Sequence, residues 1–310
     1  MSKSFFERLG GSSPVFDPNH NFVTSPFFSS AALATLRGLV AVYALFVLIF
    51  ALVWENVRTH DGSGFFSYFT QLTYIGLCSY YWASFVQTVA YARKGQRGYP
   101  LQKWGKTLQV LHMMLATTIV SYPILVTIVF WALLASSKTF STVFSTWDNV
   151  SFHALNTVFS LFEMLFTNSP PPPWLMVPFI IIILALYLGL AYLTHFTQGF
   201  YTYSFLDPEK EHGLLVGYII GILVASLILF SLVKGVMTLR RRLTNRNCTA
   251  SSLGGGQFSL EGSIAHEKVS GNSNGYGDVD VERGISPWTD IGTMEGSTEK
   301  DPAVVEKRDM

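Results

Sequence analysis

The sequence has few charged residues and few cysteines. Charged residues make up 13% of the 310 positions, about half the share of an ordinary soluble domain. The formal net charge is +1 and no basic patch interleaved with aromatics is found, so we expect no nucleic-acid partner. The two cysteines, Cys78 and Cys248, cannot form a disulfide framework. No cysteines and histidines have the spacing of a zinc site, so we expect no metal and no other cofactor.

What the sequence does have is long apolar runs. Residues 1–31 are polar and mixed, which is not typical of a cleavable signal peptide, so we expect the first run to act as an uncleaved anchor. Runs of about 20 apolar residues are long enough to cross a bilayer as helices. They cover residues 32–54, 66–91, 108–135, 149–166, 174–195 and 213–239. The pattern predicts an all-α fold, an integral membrane bundle of six helices.

The domain organisation follows from the change in composition at both ends. Residues 1–31 are predicted to be a cytosolic N-terminal segment and residues 32–243 the six-helix membrane domain. From residue 244 to residue 310 the chain is rich in Gly, Ser, Asn and acidic residues, with little apolar surface to bury. Such a composition predicts a disordered cytosolic tail.

The distribution of basic residues predicts the orientation. The second and sixth spans are followed by clusters of basic residues: Arg93, Lys94, Arg97, Lys103 and Lys106, and then Arg240, Arg241, Arg242 and Arg246. The first, third and fifth connections carry one each. Because basic residues concentrate on the cytoplasmic side, both termini are predicted to be cytoplasmic. We expect the protein in the membrane of the endoplasmic reticulum or in the plasma membrane. The lengths of the spans fit both bilayers and therefore do not distinguish them.

The fourth predicted span carries a polar stripe. Helical spacing puts one set of side chains on a single face: His153, Asn156, Thr157, Ser160 and Glu163. A charged group at the centre of a membrane helix costs about 2.5–3.5 kcal/mol, so such groups are usually paired and often functional. The stripe therefore predicts either a functional site or a set of bonds between helices.

The predicted orientation brings several of these side chains to one depth. His153 lies about one turn inside the outer surface, and Thr70 and Thr73 lie in the first two turns of the second span. His195, in the last turn of the fifth span, lies on the same side, as do three residues of the loop that follows: Tyr201, Tyr203 and Asp207. We expect these residues to lie close together just below the outer surface.

A second pair of polar residues lies nearer the cytoplasmic side. His112, in the second turn of the third span, and Glu163 share this depth. The simpler interpretation is a buried hydrogen-bonded pair that joins two helices. The alternative is part of a proton path toward the outer site.

Three segments resemble a known family. They are FSYFTQLT at 66–73, the run from His153 to Glu163, and THFTQGFYTYSFLD at 194–207. Together they resemble the androgen-induced family of multi-pass threonine hydrolases, which cleave fatty-acid esters of hydroxy fatty acids. The related rolling stone proteins, known from muscle-cell fusion, share the His-x-x-Asn-Thr pattern, to which Asn156 belongs.

The resemblance implies a lipid hydrolase with a threonine nucleophile and a histidine base, which fall on Thr70 and His153. Its substrates would be membrane lipids. Thr73, one turn beyond Thr70, is a second candidate nucleophile, and His195 is a candidate for orienting His153 or for stabilising the oxyanion. The alternative is a non-enzymatic membrane protein like rolling stone, either a fusion or adhesion factor or a small transporter.

Overall fold

The structure, a computed structural model, describes residues 15–59 and 62–254. This part of the chain is mostly helical and contains no β-strand. The α-helices are α1 (Ser30–Trp54), α2 (Phe69–Arg93), α3 (Lys106–Val129), α4 (Val143–Val150), α5 (Asn156–Phe166), α6 (Val177–Gln198), α7 (Pro208–Glu211) and α8 (Leu214–Gly254). A π-helical turn, Phe130–Leu134, extends α3, and another, Ser151–Leu155, joins α4 to α5. The predicted all-α class is confirmed.

Within the described ranges, four helical segments are long and apolar enough to cross a membrane: Ser30–Arg58, Lys106–Leu134, Trp174–Gln198 and Leu214–Thr244. They correspond to the first, third, fifth and sixth predicted spans. The other two predicted spans fall on α2 and on α4 with α5, which carry more polar residues. Many of those polar side chains are buried against other helices, among them Gln87 and Thr88 of α2 and Asn156 of α5. The count of six spans therefore stays a prediction.

The first two long helices pack closely because the face of α1 toward α2 carries small side chains. Ala34, Ala41 and Ala44 are buried there, and small residues allow helix backbones to approach in a membrane. Gly38 faces the ring of Phe85, and a Cβ at that position would lie 2.9 Å from the ring. A side chain at residue 38 would therefore force the Phe85 ring to move.

The boundaries of the predicted tail are only partly described. Helix α8 runs to Gly254, past residue 244, where the sequence places the end of the membrane domain. The rest of the predicted disordered tail, and residues 1–14 of the predicted N-terminal segment, lie outside the described residues.

Candidate active site

A cavity of about 210 Å³ lies where α2 begins, beside the middle of α6. Side chains from α2, α3, α6, α8 and the loop after α6 form its walls, and nearly all of them are apolar. The polar side chains that line it are Thr70, His153, Tyr187 and Tyr203. The two residues proposed from sequence as nucleophile and base thus lie on the wall of one apolar cavity.

Thr70 occupies the first turn of α2. Its side chain is buried, and Oγ1 lies 3.5 Å from the Tyr203 hydroxyl. The backbone N–H groups of Phe69 and Thr70 face the same hydroxyl. The first N–H groups of a helix have no partner within the helix. The start of α2 thus places the Thr70 hydroxyl and two backbone N–H groups beside the Tyr203 hydroxyl, at one point of the cavity.

His153 is held in the cavity wall by an aromatic stack. Its imidazole lies parallel to the ring of Phe130, with 3.7 Å between the ring centroids and 4° between the planes. Each of the two residues belongs to a π-helical turn, a local distortion that is frequent at functional sites. The hydroxyl of Thr127 donates to the His153 carbonyl oxygen at 2.6 Å, which anchors the backbone of this turn. The orientation of the imidazole is therefore fixed from two sides.

The imidazole has a nitrogen atom free for chemistry. His153 Nδ1 is buried and has no hydrogen-bond partner within the described chain. In the same part of the chain, the hydroxyl of Thr70 is paired with Tyr203 and not with His153. Catalytic hydrogen bonds are often long without substrate and shorten only in the complex. Both side chains line the space in which a substrate ester would bind.

Tyr187 was not among the site residues predicted from sequence, and Tyr203 was predicted only to lie on the same side of the membrane as the site. The Tyr187 hydroxyl donates to the Ser67 carbonyl at 3.2 Å and to Thr202 Oγ1 at 3.3 Å, which ties α6 to the start of α2. Burial raises the pKa of Tyr203, so its hydroxyl stays protonated at neutral pH and can donate. The signal that could have identified Tyr187 is its position: it is a tyrosine in a stretch of the fifth span that is otherwise mainly aliphatic.

The structure does not bring His195 to this cavity. Leu188 lines the cavity, but His195 lies seven residues farther along α6, which is about 10 Å along the axis. Its ring stacks on Tyr201 at a centroid distance of 3.7 Å. α6 continues for nearly three turns beyond Leu188, so His195 lies outside the cavity that Thr70 and His153 line.

The three remaining candidates have other partners. The Thr73 hydroxyl donates to the carbonyl oxygens of Phe69 and Thr70, at 2.9 and 3.0 Å. Asn156 Oδ1 accepts a hydrogen bond from Thr127 at 3.2 Å and is buried between α3 and α5. None of Thr73, Asn156 and Asp207 lines the cavity.

Asp207 caps the short helix α7. Its carboxylate accepts from the Glu209 N–H at 3.0 Å and pairs with Lys210 at 3.0 Å. The hydrogen bond from Lys210 holds the pKa of Asp207 below its ordinary value. Asp207 therefore shapes the loop that carries Tyr203, Phe205 and Leu206 to the cavity.

The polar pair predicted near the cytoplasmic side needs a correction. Glu163 forms a buried ion pair with Arg37 of α1, and its carboxylate also accepts from Tyr80 at 2.7 Å and Ser169 at 3.0 Å. His112 makes no hydrogen bond with Glu163 within the described chain but stacks on Tyr80, at a centroid distance of 5.7 Å. A guanidinium satisfies a buried carboxylate better than a neutral imidazole because it brings the opposite charge.

Arg37 was missed in the sequence, although a signal was present. It is an isolated basic residue inside an otherwise apolar span, and an intramembrane charge needs a partner of opposite charge.

Within the described chain, groups of three or more His, Cys, Asp or Glu residues that could hold a metal are not found. The polar groups that line the cavity are the Thr70 hydroxyl, the His153 imidazole and the hydroxyls of Tyr187 and Tyr203.

Comparison with known proteins gives one finding. No curated protein and no solved structure matches the chain. The model of the family described as FAR-17a/AIG1-like protein matches residues 28–237, more than half of the sequence, and this range contains both Thr70 and His153. It includes the segments that carry the resemblance to the androgen-induced family. The chain therefore belongs to the FAR-17a/AIG1-like family of membrane proteins.

Proposed function

We propose that this protein is a multi-pass membrane hydrolase that cleaves fatty-acid esters of hydroxy fatty acids. Thr70 is the nucleophile and His153 the general base. The observation that carries the proposal is that these two side chains line one apolar cavity, with an unpartnered imidazole nitrogen on one wall. An apolar cavity with few polar groups suits a lipid whose single reactive bond must be positioned.

The reaction has two steps. As Thr70 Oγ1 attacks the ester carbonyl carbon, His153 takes the hydroxyl proton, because a threonine hydroxyl is a weak nucleophile until a base removes that proton. The tetrahedral intermediate collapses, the bond to the alcohol oxygen breaks, and His153 returns the proton to the leaving alcohol. Water then attacks the acyl-threonine with His153 again as base, which releases the fatty acid and regenerates Thr70.

The developing oxyanion needs donors at the carbonyl oxygen. The hydroxyl of Tyr203 and the backbone N–H groups at the start of α2 lie beside Thr70. Donors of this kind are each worth about 3 kcal/mol in the transition state. Tyr203 takes the role that the sequence suggested for His195.

In the membrane, we infer six spans with both termini in the cytoplasm. α2 together with α4 and α5 supplies the two spans beyond the four most apolar helices. In this orientation the cavity lies near the outer or lumenal surface. Water reaches the acyl-enzyme from that side, while the acyl chains remain among the helices.

The direct test is hydrolysis by the purified, detergent-solubilised protein of a panel of fatty-acid esters of hydroxy fatty acids. We expect release of both acids and covalent labelling by a fluorophosphonate probe, which captures activated serine and threonine nucleophiles. Prior incubation with the best ester should slow the labelling, since both compete for one hydroxyl. A folded protein that neither hydrolyses the panel nor takes the probe would instead support a non-enzymatic role like that of rolling stone.

A further inference from the structure

A second apolar space lies directly beside the cavity. It is a groove of about 440 Å³ between α2, α3 and α6. On α2 its wall consists of Phe69, Leu72, Thr73 and Gly76. This spacing of three and four residues marks one continuous face of a helix. The groove runs along the helix axes, from the level of Thr70 toward the middle of α2.

The groove and the cavity share a wall. Phe69 and Tyr187 line both spaces. The ring centroid of Phe69 lies 4.9 Å from that of Tyr187 and 5.2 Å from that of Tyr122, so three aromatic rings form the partition. Thr70 follows Phe69 in the chain. The proposed nucleophile therefore lies at the edge of this partition, next to both spaces.

We propose that the groove binds the second hydrocarbon chain of the substrate. The proposal rests on the proposed function and deepens it: the ester lies at Thr70, one chain fills the cavity, and the other passes the Phe69–Tyr187 partition into the groove. An ester with a long chain on each side of the carboxyl group needs two apolar spaces that meet at the nucleophile. Most of the side chains that line the groove are apolar, and it shares Phe69 and Tyr187 with the cavity.

The outer edge of the groove is open to surrounding lipid. Leu111 of α3 and Leu186 of α6 line the groove, and they are 51% and 68% exposed. Both belong to the apolar helix surface that would face the bilayer. A long chain can therefore enter sideways from the membrane, while the ester is held at the inner edge.

Gly76 is the position at which the groove can be filled. It lies six residues beyond Thr70, about 9 Å along α2. The nearest atom to a Cβ built there is Leu115 Cδ1, at 3.8 Å, which is an ordinary contact. A leucine at this position would project into the groove without meeting backbone. The matched control is Gly189→Leu, because Gly189 of α6 faces open space and lines neither the groove nor the cavity.

The test compares an ester that has two long chains with two truncated esters, in which either the acid or the alcohol part is short. In Gly76→Leu we expect kcat/KM for the long ester to fall about tenfold or more, relative to that for one of the truncated esters, because the filled groove no longer buries the chain. Gly76→Ala should give a smaller change of the same kind, and Gly189→Leu should give none. If Gly76→Leu lowered kcat/KM equally for all three esters, or for none of them, the proposal would be overturned.

A second measurement does not depend on turnover. A long-chain fatty acid with a diazirine near its methyl end is photolysed with the wild-type protein in detergent, and the adducts are mapped. We expect adducts on residues 111–122 of α3 that excess unlabelled long ester removes and that Gly76→Leu weakens. Adducts that the ester does not displace would show that the groove holds only surrounding lipid. Ester-sensitive adducts without hydrolysis of any ester would contradict the proposed function but retain the groove as a chain-binding site.

Discussion

Replacing Thr70 by alanine is expected to lower ester hydrolysis by about 10³-fold or more, because the reaction loses its attacking oxygen. The fold should survive, since among the described residues the Thr70 hydroxyl has a hydrogen-bond contact only with Tyr203, at a long 3.5 Å. Steady-state hydrolysis of the preferred ester measures the effect, with thermal unfolding in detergent as the check on folding.

Two other threonines make this result decisive. Thr197→Ala is the matched control: its hydroxyl donates to the Leu193 carbonyl at 2.8 Å, it is exposed, and it lies outside the cavity. We expect its activity to match the wild-type protein. Thr73→Ala tests the second candidate nucleophile, whose hydroxyl is bonded to two backbone carbonyls. Loss of turnover in Thr73→Ala with activity retained in Thr70→Ala would transfer the role to Thr73.

The second large effect is expected at Arg37, where substitution should reduce stability rather than chemistry. Arg37 is fully buried, and besides its ion pair with Glu163 it donates to the Phe22 carbonyl at 2.8 Å and to Thr88 at 2.7 Å. Arg37→Met leaves the Glu163 carboxylate buried without its counter-charge. Breaking a buried pair in this way typically costs 3–5 kcal/mol. The free energy of unfolding, measured by titration with a denaturing detergent, should fall by about that amount.

A double substitution separates charge from packing. In Arg37→Met combined with Glu163→Gln no unpaired charge remains, so the loss of stability should be smaller than the sum of the two single losses. Arg241→Met, at an exposed position on α8, should change stability by no more than about 0.5 kcal/mol. An Arg37→Met variant as stable as the wild-type protein would contradict the assigned role of the ion pair.

Much of the fold is predictable because apolar length and polar spacing are local properties of a sequence. The runs at 32–54 and 108–135 correspond to α1 and to α3 with its π-helical turn. The depth argument put Thr70 and His153 near each other, and both line the cavity. Their catalytic role is still a prediction, since lining a cavity is not activity.

What could not be predicted depends on which helices are neighbours. Glu163 was assigned to His112 because they share a depth, but α1 places Arg37 closer, and spacing along one helix does not reveal this. The π-helical turns that bring His153 against Phe130 interrupt the regular helical period, so a regular helix was predicted there. Tyr203 lies in a loop, where no periodicity indicates the direction of a side chain.

The most direct test of the account is the identity of the residue that carries the acyl group. Wild-type protein is mixed with a long-chain ester, quenched with acid within milliseconds, digested and analysed by tandem mass spectrometry. We expect an acyl group on Thr70, separated from Thr73 by fragment ions, and absent from the His153→Ala variant. Hydrolysis that proceeds with the acyl group on another residue, or with no acyl-enzyme at any quench time, would contradict the account.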